Sequence, residues 1–266
     1  MRSIIEFNDG WMLDGVPVRL PHNAVDLPLS YFDENTYQRE FTYEKTFTAD
    51  FAGFEAVLRF DGAMANARVF LNGKQIAAHA DGYTPFTARL TGISGENTLR
   101  VVIDGAENPA IPPFGGAIDY LTYTGIYRDV FLCLTAPVSI GQTKVETPDV
   151  LADTKTVKVA VTLNNPQNLA LSGQLTAVLR DGKGVEIAHT SAVVTGAQVS
   201  LVFAGLKNIA LWDIHAPHLY SVDLTLVTPH GTDETQTTFG FRAAEFTADG
   251  FLLNGKPLKI RGLNRH

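Results

Sequence analysis

The sequence predicts an all-β chain, a jelly-roll sandwich followed by an immunoglobulin-like β-sandwich. Three observations carry that prediction. Apolar residues recur with period two over short runs, as in Phe41-Thr-Tyr-Glu-Lys-Thr-Phe47, the spacing that puts side chains on one face of a strand. Turn residues separate the runs at short intervals, most clearly Asn72-Gly73, where both central positions of a type I′ hairpin turn need positive φ. No window of the first block repeats apolar residues at three and four over a helix length.

In order along the first block, residues 1–136, strands are expected at Phe41–Phe47, Ala56–Phe60, Ala67–Leu71, Thr98–Ile103 and Val130–Leu134, with Gln75–Ala77 as the return arm of the Asn72-Gly73 hairpin. Many short strands with such turns fit a jelly roll. Tyr83-Thr-Pro-Phe86 reads as a turn that sets two aromatics against the sheet, because Pro85 argues against a central strand there. The passage Asn108-Pro-Ala-Ile-Pro-Pro-Phe-Gly-Gly116 is either a shaped loop for binding or simply a long crossover, and composition weighs the two about evenly. It leads to Asp119, a lone carboxylate among tyrosines, then to the Thr124-Gly125 turn and an apolar run read as a buried strand. Arg128 and Asp129 read as a local ion pair.

The second block, residues 137–243, offers strands at Thr156–Leu163, Gly173–Leu179, Val185–Ile187, Gln198–Phe203, Tyr220–Val227 and Thr237–Phe241. That density of short strands in about a hundred residues fits an immunoglobulin-like sandwich without its disulfide. Trp212 is expected as a core anchor at a strand edge. His215 and His218 are expected on the surface, since no cysteine or paired carboxylate completes a zinc set near them. Residues 244–266 change character, with a second Asn-Gly hairpin at Asn254-Gly255 followed by the polar Arg261-Gly-Leu-Asn-Arg-His266.

Composition excludes several classes of function. A formal net charge of -7 with no Lys/Arg block leaves no positive stripe for phosphates, so no nucleic-acid partner is expected. No run of 18 apolar residues and no N-terminal apolar segment is present, so neither a membrane span nor a signal peptide is expected, and a cytoplasmic location follows as the expectation. The single cysteine, Cys133, lies in the most strand-like run and is expected in the core. Nucleophile elbows, His-Glu-x-x-His pairs, Cys-x-x-Cys pairs and phosphate loops are all missing. The carboxylates Asp9, Asp33, Glu34, Asp61, Asp104, Glu107 and Asp119 are each by default solvated or turn-stabilising. A sugar contact at Asp119 has a chemical basis, because a carboxylate accepts hydrogen bonds from two adjacent hydroxyls and tyrosine faces cover the apolar side of a pyranose.

Several segments, in order, give the chain a resemblance. They are Leu20-Pro-His-Asn23, Val69-Phe-Leu-Asn-Gly-Lys74, His79-Ala-Asp-Gly-Tyr-Thr-Pro-Phe86, Thr124-Gly-Ile-Tyr-Arg-Asp-Val130, Leu211–Tyr220, Phe239-Gly-Phe-Arg242 and Phe251–His266. With them the chain resembles glycoside hydrolase family 2, the group of β-galactosidases, β-glucuronidases and β-mannosidases. The resemblance implies a sugar-binding jelly roll, an immunoglobulin-like sandwich and then, in 244–266, the opening strand or strands of a truncated TIM barrel. It implies that the acidic residue six positions before the glycine of Gly125-Ile-Tyr-Arg128, here Asp119, contacts substrate held by the barrel. It gives His266 a second substrate contact, and makes Arg128, Arg261 and Asn264 supporting residues. The acid/base and nucleophile glutamates belong to later barrel strands, so the resemblance implies an inactive fragment of an active O-glycosyl hydrolase, β-galactosidase first and β-glucuronidase as the alternative. A freestanding carbohydrate-binding or interaction module is the competing class. No cofactor is required by the residues present, and a divalent or sodium ion is left to the full-length parent. The implied partners are a carbohydrate substrate, the missing barrel and a homo-oligomeric assembly.

Overall fold

The structure is a computed structural model that describes residues 2–30, 33–112 and 122–264. Every pairing between its strands is antiparallel, and the chain separates into two compact units that meet in sequence at Thr135 and Ala136.

The first unit holds β1 (Ser3–Glu6), β2 (Trp11–Leu13), β3 (Val16–Val18), β4 (Glu40–Ala49), β5 (Glu55–Phe60), β6 (Asn66–Leu71), β7 (Lys74–Ala80), β8 (Phe86–Leu90), β9 (Gly95–Asp104) and β10 (Val130–Thr135). They form a four-stranded sheet in the order β1-β10-β5-β8 and a six-stranded sheet in the order β3-β2-β4-β9-β6-β7. Strands that alternate between the two sheets as the chain advances give the jelly-roll sandwich. Its core takes one side of each strand: Phe41 and Tyr43 of β4, Leu58 and Phe60 of β5, Val69 of β6, and Leu99, Val101 and Ile103 of β9, closed by Trp11 and Leu20. The Asn72-Gly73 turn has φ of 49° and 83°, as the hairpin signal requires.

The second unit holds β11 (Ser139–Glu146), β12 (Lys155–Asn164), β13 (Gly173–Arg180), β14 (Glu186–Val194), β15 (Gln198–Leu206), β16 (Tyr220–Thr228) and β17 (Gly231–Phe239). A three-stranded sheet, β11-β12-β15, faces a four-stranded one, β14-β13-β16-β17. Val157, Val159, Val161 and Leu163 of β12, Leu175 and Leu179 of β13, and Val222, Leu224 and Leu226 of β16 point inward and form a separate core with Phe203 and Phe241. The sheets are joined without a disulfide, chiefly by this packing. Asp233 on β17 is fully buried and accepts the Ile140 amide of β11 at 2.7 Å, a link between the two sheets. A last small sheet, β18 (Ala244–Thr247), β19 (Gly250–Leu253) and β20 (Lys256–Pro257), contains the second Asn-Gly hairpin, and residues 258–264 have no regular structure.

Three local expectations are corrected. Cys133 is half-buried rather than in the core, because β10 is covered on one side only: Val130 and Leu132 point inward while Phe131 and Cys133 point outward. Of the aromatics flanking Pro85, only Phe86 packs inward, stacked on Phe60 at 4.8 Å; Tyr83 stays exposed. Trp212 is half-buried at the rim, its ring beneath the Arg242 guanidinium at 5.0 Å. His215 and His218 are exposed, as expected.

Candidate functional site at the foot of the 105–129 loop

The connection from β9 to β10 carries the Asp119 region. Asp119 lies outside the described residues, and so does His266; the two ends of the loop are described. At its departure the Gly105 amide donates to the Arg39 carbonyl at 3.1 Å, Asp104 caps the Ala106 amide at 3.0 Å, and Asn108 caps the Ala110 amide at 2.9 Å. Ile111 then turns into the interior. One long-range bond and two local caps thus satisfy the backbone in a passage that has no ladder to join.

The return is held more tightly. Thr124 is buried, and its hydroxyl donates to the Tyr37 carbonyl at 2.6 Å. The segment after Leu20 runs beside it: the His22 amide donates to the Ile126 carbonyl and the Ala24 amide to the Thr124 carbonyl, both at 2.8 Å. On the other side Met64 and Gly125 exchange backbone bonds at 3.0 and 3.3 Å. Gly125 sits between these neighbours with φ of 148°, and a Cβ there would lie 2.4 Å from the His22 carbonyl oxygen. No side chain fits that gap, so the glycine of the motif answers a close approach of three backbone segments.

Side chains complete the knot. The Tyr43 phenol is fully buried and lies 3.1 Å from the His22 imidazole Nδ1; burial pushes its ionisation far above the usual phenol range. The Tyr127 hydroxyl donates to the Gly82 carbonyl, and burial likewise raises that phenol against the opposing pull of the Arg128 charge. Asn8, buried, donates to Asp129 Oδ1 at 2.8 Å and accepts the Val130 amide at 2.9 Å. Residues separated by more than a hundred positions are thereby locked around the loop's return.

Arg128 and Asp129 do not pair with each other. Asp129 is taken by Asn8, and among the described residues Arg128 makes no hydrogen bond or ion pair. Arg128 is exposed and borders an open depression of about 580 Å³ at this end of the sandwich. Arg261 and Asn264 belong to the second unit and are exposed. Sequence reasoning missed Asn8, Tyr37 and Met64. Asn8-Asp-Gly10 carries only an ordinary turn signal, and nothing in composition distinguishes an asparagine that is buried from one in water. Among the described residues no group of three or more His, Cys, Asp or Glu could hold a metal ion, and no helix is long and apolar enough to cross a membrane.

Comparison with known proteins adds a family to this geometry. The profile for the sugar binding domain of glycosyl hydrolases family 2 matches residues 14–137, and the profile for glycosyl hydrolases family 2 matches residues 138–242. The chain belongs to glycosyl hydrolases family 2. A β-galactosidase of Rhizobium meliloti is 44% identical across 100% of the chain, which covers 37% of that relative. A β-galactosidase of Thermoanaerobacterium thermosulfurigenes is 36% identical, again across 100% of the chain and 41% of the relative. Among solved structures, a β-glucuronidase of Parabacteroides merdae superimposes with a TM-score of 0.84 at 25% identity, covering 99% of this chain and 39% of that one. The chain therefore spans about two fifths of the length of the relatives it matches. In this family-2 chain, the segments Leu20–Asn23 and Thr124–Val130, which carried the resemblance, are adjacent strands of backbone in one knot.

Proposed function

We propose that the chain is the N-terminal, non-catalytic portion of a retaining β-glycosidase, a β-galactosidase in the first instance, and that it contributes one substrate-contacting loop. The observation that carries this reading is the knot around Thr124, Gly125 and Ile126. Buried hydrogen bonds and a glycine with no room for a side chain fix the loop's return within a few residues of Asp119. Such a foot suits a loop that must hold one carboxylate steady, because a substrate contact loses its worth when its supporting shell is loose. The β-galactosidase names of the two relatives at 44% and 36% identity favour that sugar over glucuronide.

The domains of this reading are a jelly roll over 1–136, the immunoglobulin-like sandwich over 137–243 and the opening of a TIM barrel over 244–266. Barrel active sites lie at the C-terminal ends of the strands, which is where Arg261, Asn264 and His266 would stand once the remaining strands are present. The chemistry belongs to two glutamates of that barrel. One protonates the leaving oxygen while the other attacks the anomeric carbon, and water then releases the sugar from the covalent intermediate. Asp119 accepts hydrogen bonds from sugar hydroxyls and takes no part in bond breaking.

In the full-length enzyme, Asp119→Ala is expected to lower kcat/KM for nitrophenyl β-galactoside at least about tenfold, the scale of a lost charged hydrogen bond. Steady-state kinetics against β-galactoside and β-glucuronide check it. Unchanged constants on both sugars would make Asp119 an ordinary loop carboxylate, and turnover of the glucuronide alone would replace the galactoside assignment.

A further inference from the structure

We propose that the depression beside Arg128 is a binding site for a neutral sugar, formed by residues of this chain alone. Its polar wall comes from two places that one backbone bond holds together, the Asp61 amide donating to the Asp129 carbonyl at 3.0 Å. Arg59 and Asp61 stand at the end of β5, and Arg128 and Asp129 lead into β10. Pro21 and Pro85 supply apolar surface at the rim.

Each polar group is positioned through part of its bonding capacity and keeps the rest. Arg59 gives its Nε to Asp61 Oδ1 at 2.8 Å and rests its guanidinium on the Phe131 ring at 4.6 Å, which leaves its terminal nitrogens unspent. Asp61 and Asp129 each have one oxygen engaged, by Arg59 and by Asn8, and one unengaged. Arg128 has its whole donor fork available among the described residues. Two donor forks and two acceptors thus face one space of about 580 Å³, within the usual range of small-molecule pockets, about 300–1,000 Å³.

The balance of charge selects the ligand class. Two guanidinium groups and two carboxylates sum to zero, so an anion or a cation that reaches one partner also meets a like charge. A polyol meets neither repulsion. Its hydroxyls donate to the carboxylates and accept from the guanidinium groups, and its C–H face lies on proline. Neither Asp119 nor the barrel takes part, so loss of one reading leaves the other standing.

The test is a titration of the 266-residue chain with lactose, and separately with sodium sulfate, followed by backbone amide shifts. Lactose is expected to give saturable shifts at Asp61 and at Tyr127 to Asp129, with a Kd of roughly 1–10 mM. Arg128→Ala and Asp61→Asn are each expected to weaken it at least about tenfold, whereas Gln236→Ala on the second unit leaves it unchanged. Arg128 is exposed, so its replacement keeps the fold, and an unchanged Tm verifies this. Arg128→Lys retains the charge without the fork and is also expected to weaken binding. Absence of saturation, saturation that survives Arg128→Ala, or saturation by sulfate in place of lactose would each overturn the proposal.

Discussion

Gly125 carries the sharpest constraint at the scale of single residues. Any Cβ there would meet backbone atoms of the 22–24 segment at 2.4 to 3.1 Å, and backbone cannot move aside as a flexible side chain can. Gly125→Ala is expected to destabilise the first unit by about 1–3 kcal/mol from its backbone conformation alone, with the clash in addition. Urea unfolding checks this, and a change below about 0.5 kcal/mol would class the position with ordinary surface sites. Thr124→Val keeps shape but removes the donor to the buried Tyr37 carbonyl, for an expected loss of about 1–3 kcal/mol. Cys133 makes a different prediction. Burial raises its thiol pKa, with Arg59 and Arg2 pulling the other way. The folded chain should hold less thiolate than a free cysteine at the same pH, and its rate of modification by a disulfide reagent should rise at a higher pH than the ordinary thiol value of about 8.5. A rate profile that inflects at or below that value would contradict the burial.

Elements show what the sequence makes legible. The long strands β4, β9, β12, β13 and β16 announce themselves by alternation, because each has one face in a core and one in water. Strands β1, β2 and β3 escape notice. They are three or four residues long, and β1 is exposed throughout, so no window of period-two apolar residues marks them. β8 begins immediately after Pro85: the proline is outside the strand, as its missing N–H demands, but it hides the strand that follows. β11 is obscured by a bulge between Ile140 and Thr143, which breaks its alternation. The run read as a buried strand at 130–134 has one covered face, and five apolar residues in a row do not reveal which side the opposite sheet covers. At the candidate site, Asp119 stands out in the sequence as a lone carboxylate among tyrosines, whereas the roles expected of Arg128, Arg261, Asn264 and His266 come from resemblance alone; Asp119 and His266 lie outside the described residues. Asn8 and Tyr37 were not reachable at all, since their roles arise from contacts with segments about ninety or more positions away.

For the whole molecule, two cores that share no residue imply two folding units. Division of the chain between Thr135 and Ala136 is expected to leave two pieces that each show dispersed amide spectra. Collapse of either spectrum would mean that the cores depend on each other. The chain spans about two fifths of the two β-galactosidases it matches at 44% and 36% identity, and the central proposal belongs to this scale: this chain positions a sugar that a barrel outside it cleaves. The most direct measurement sets the purified 266-residue chain beside the full-length protein on nitrophenyl β-galactoside. Turnover is expected from the full-length protein alone; turnover that copurifies with the 266-residue chain would contradict the claim.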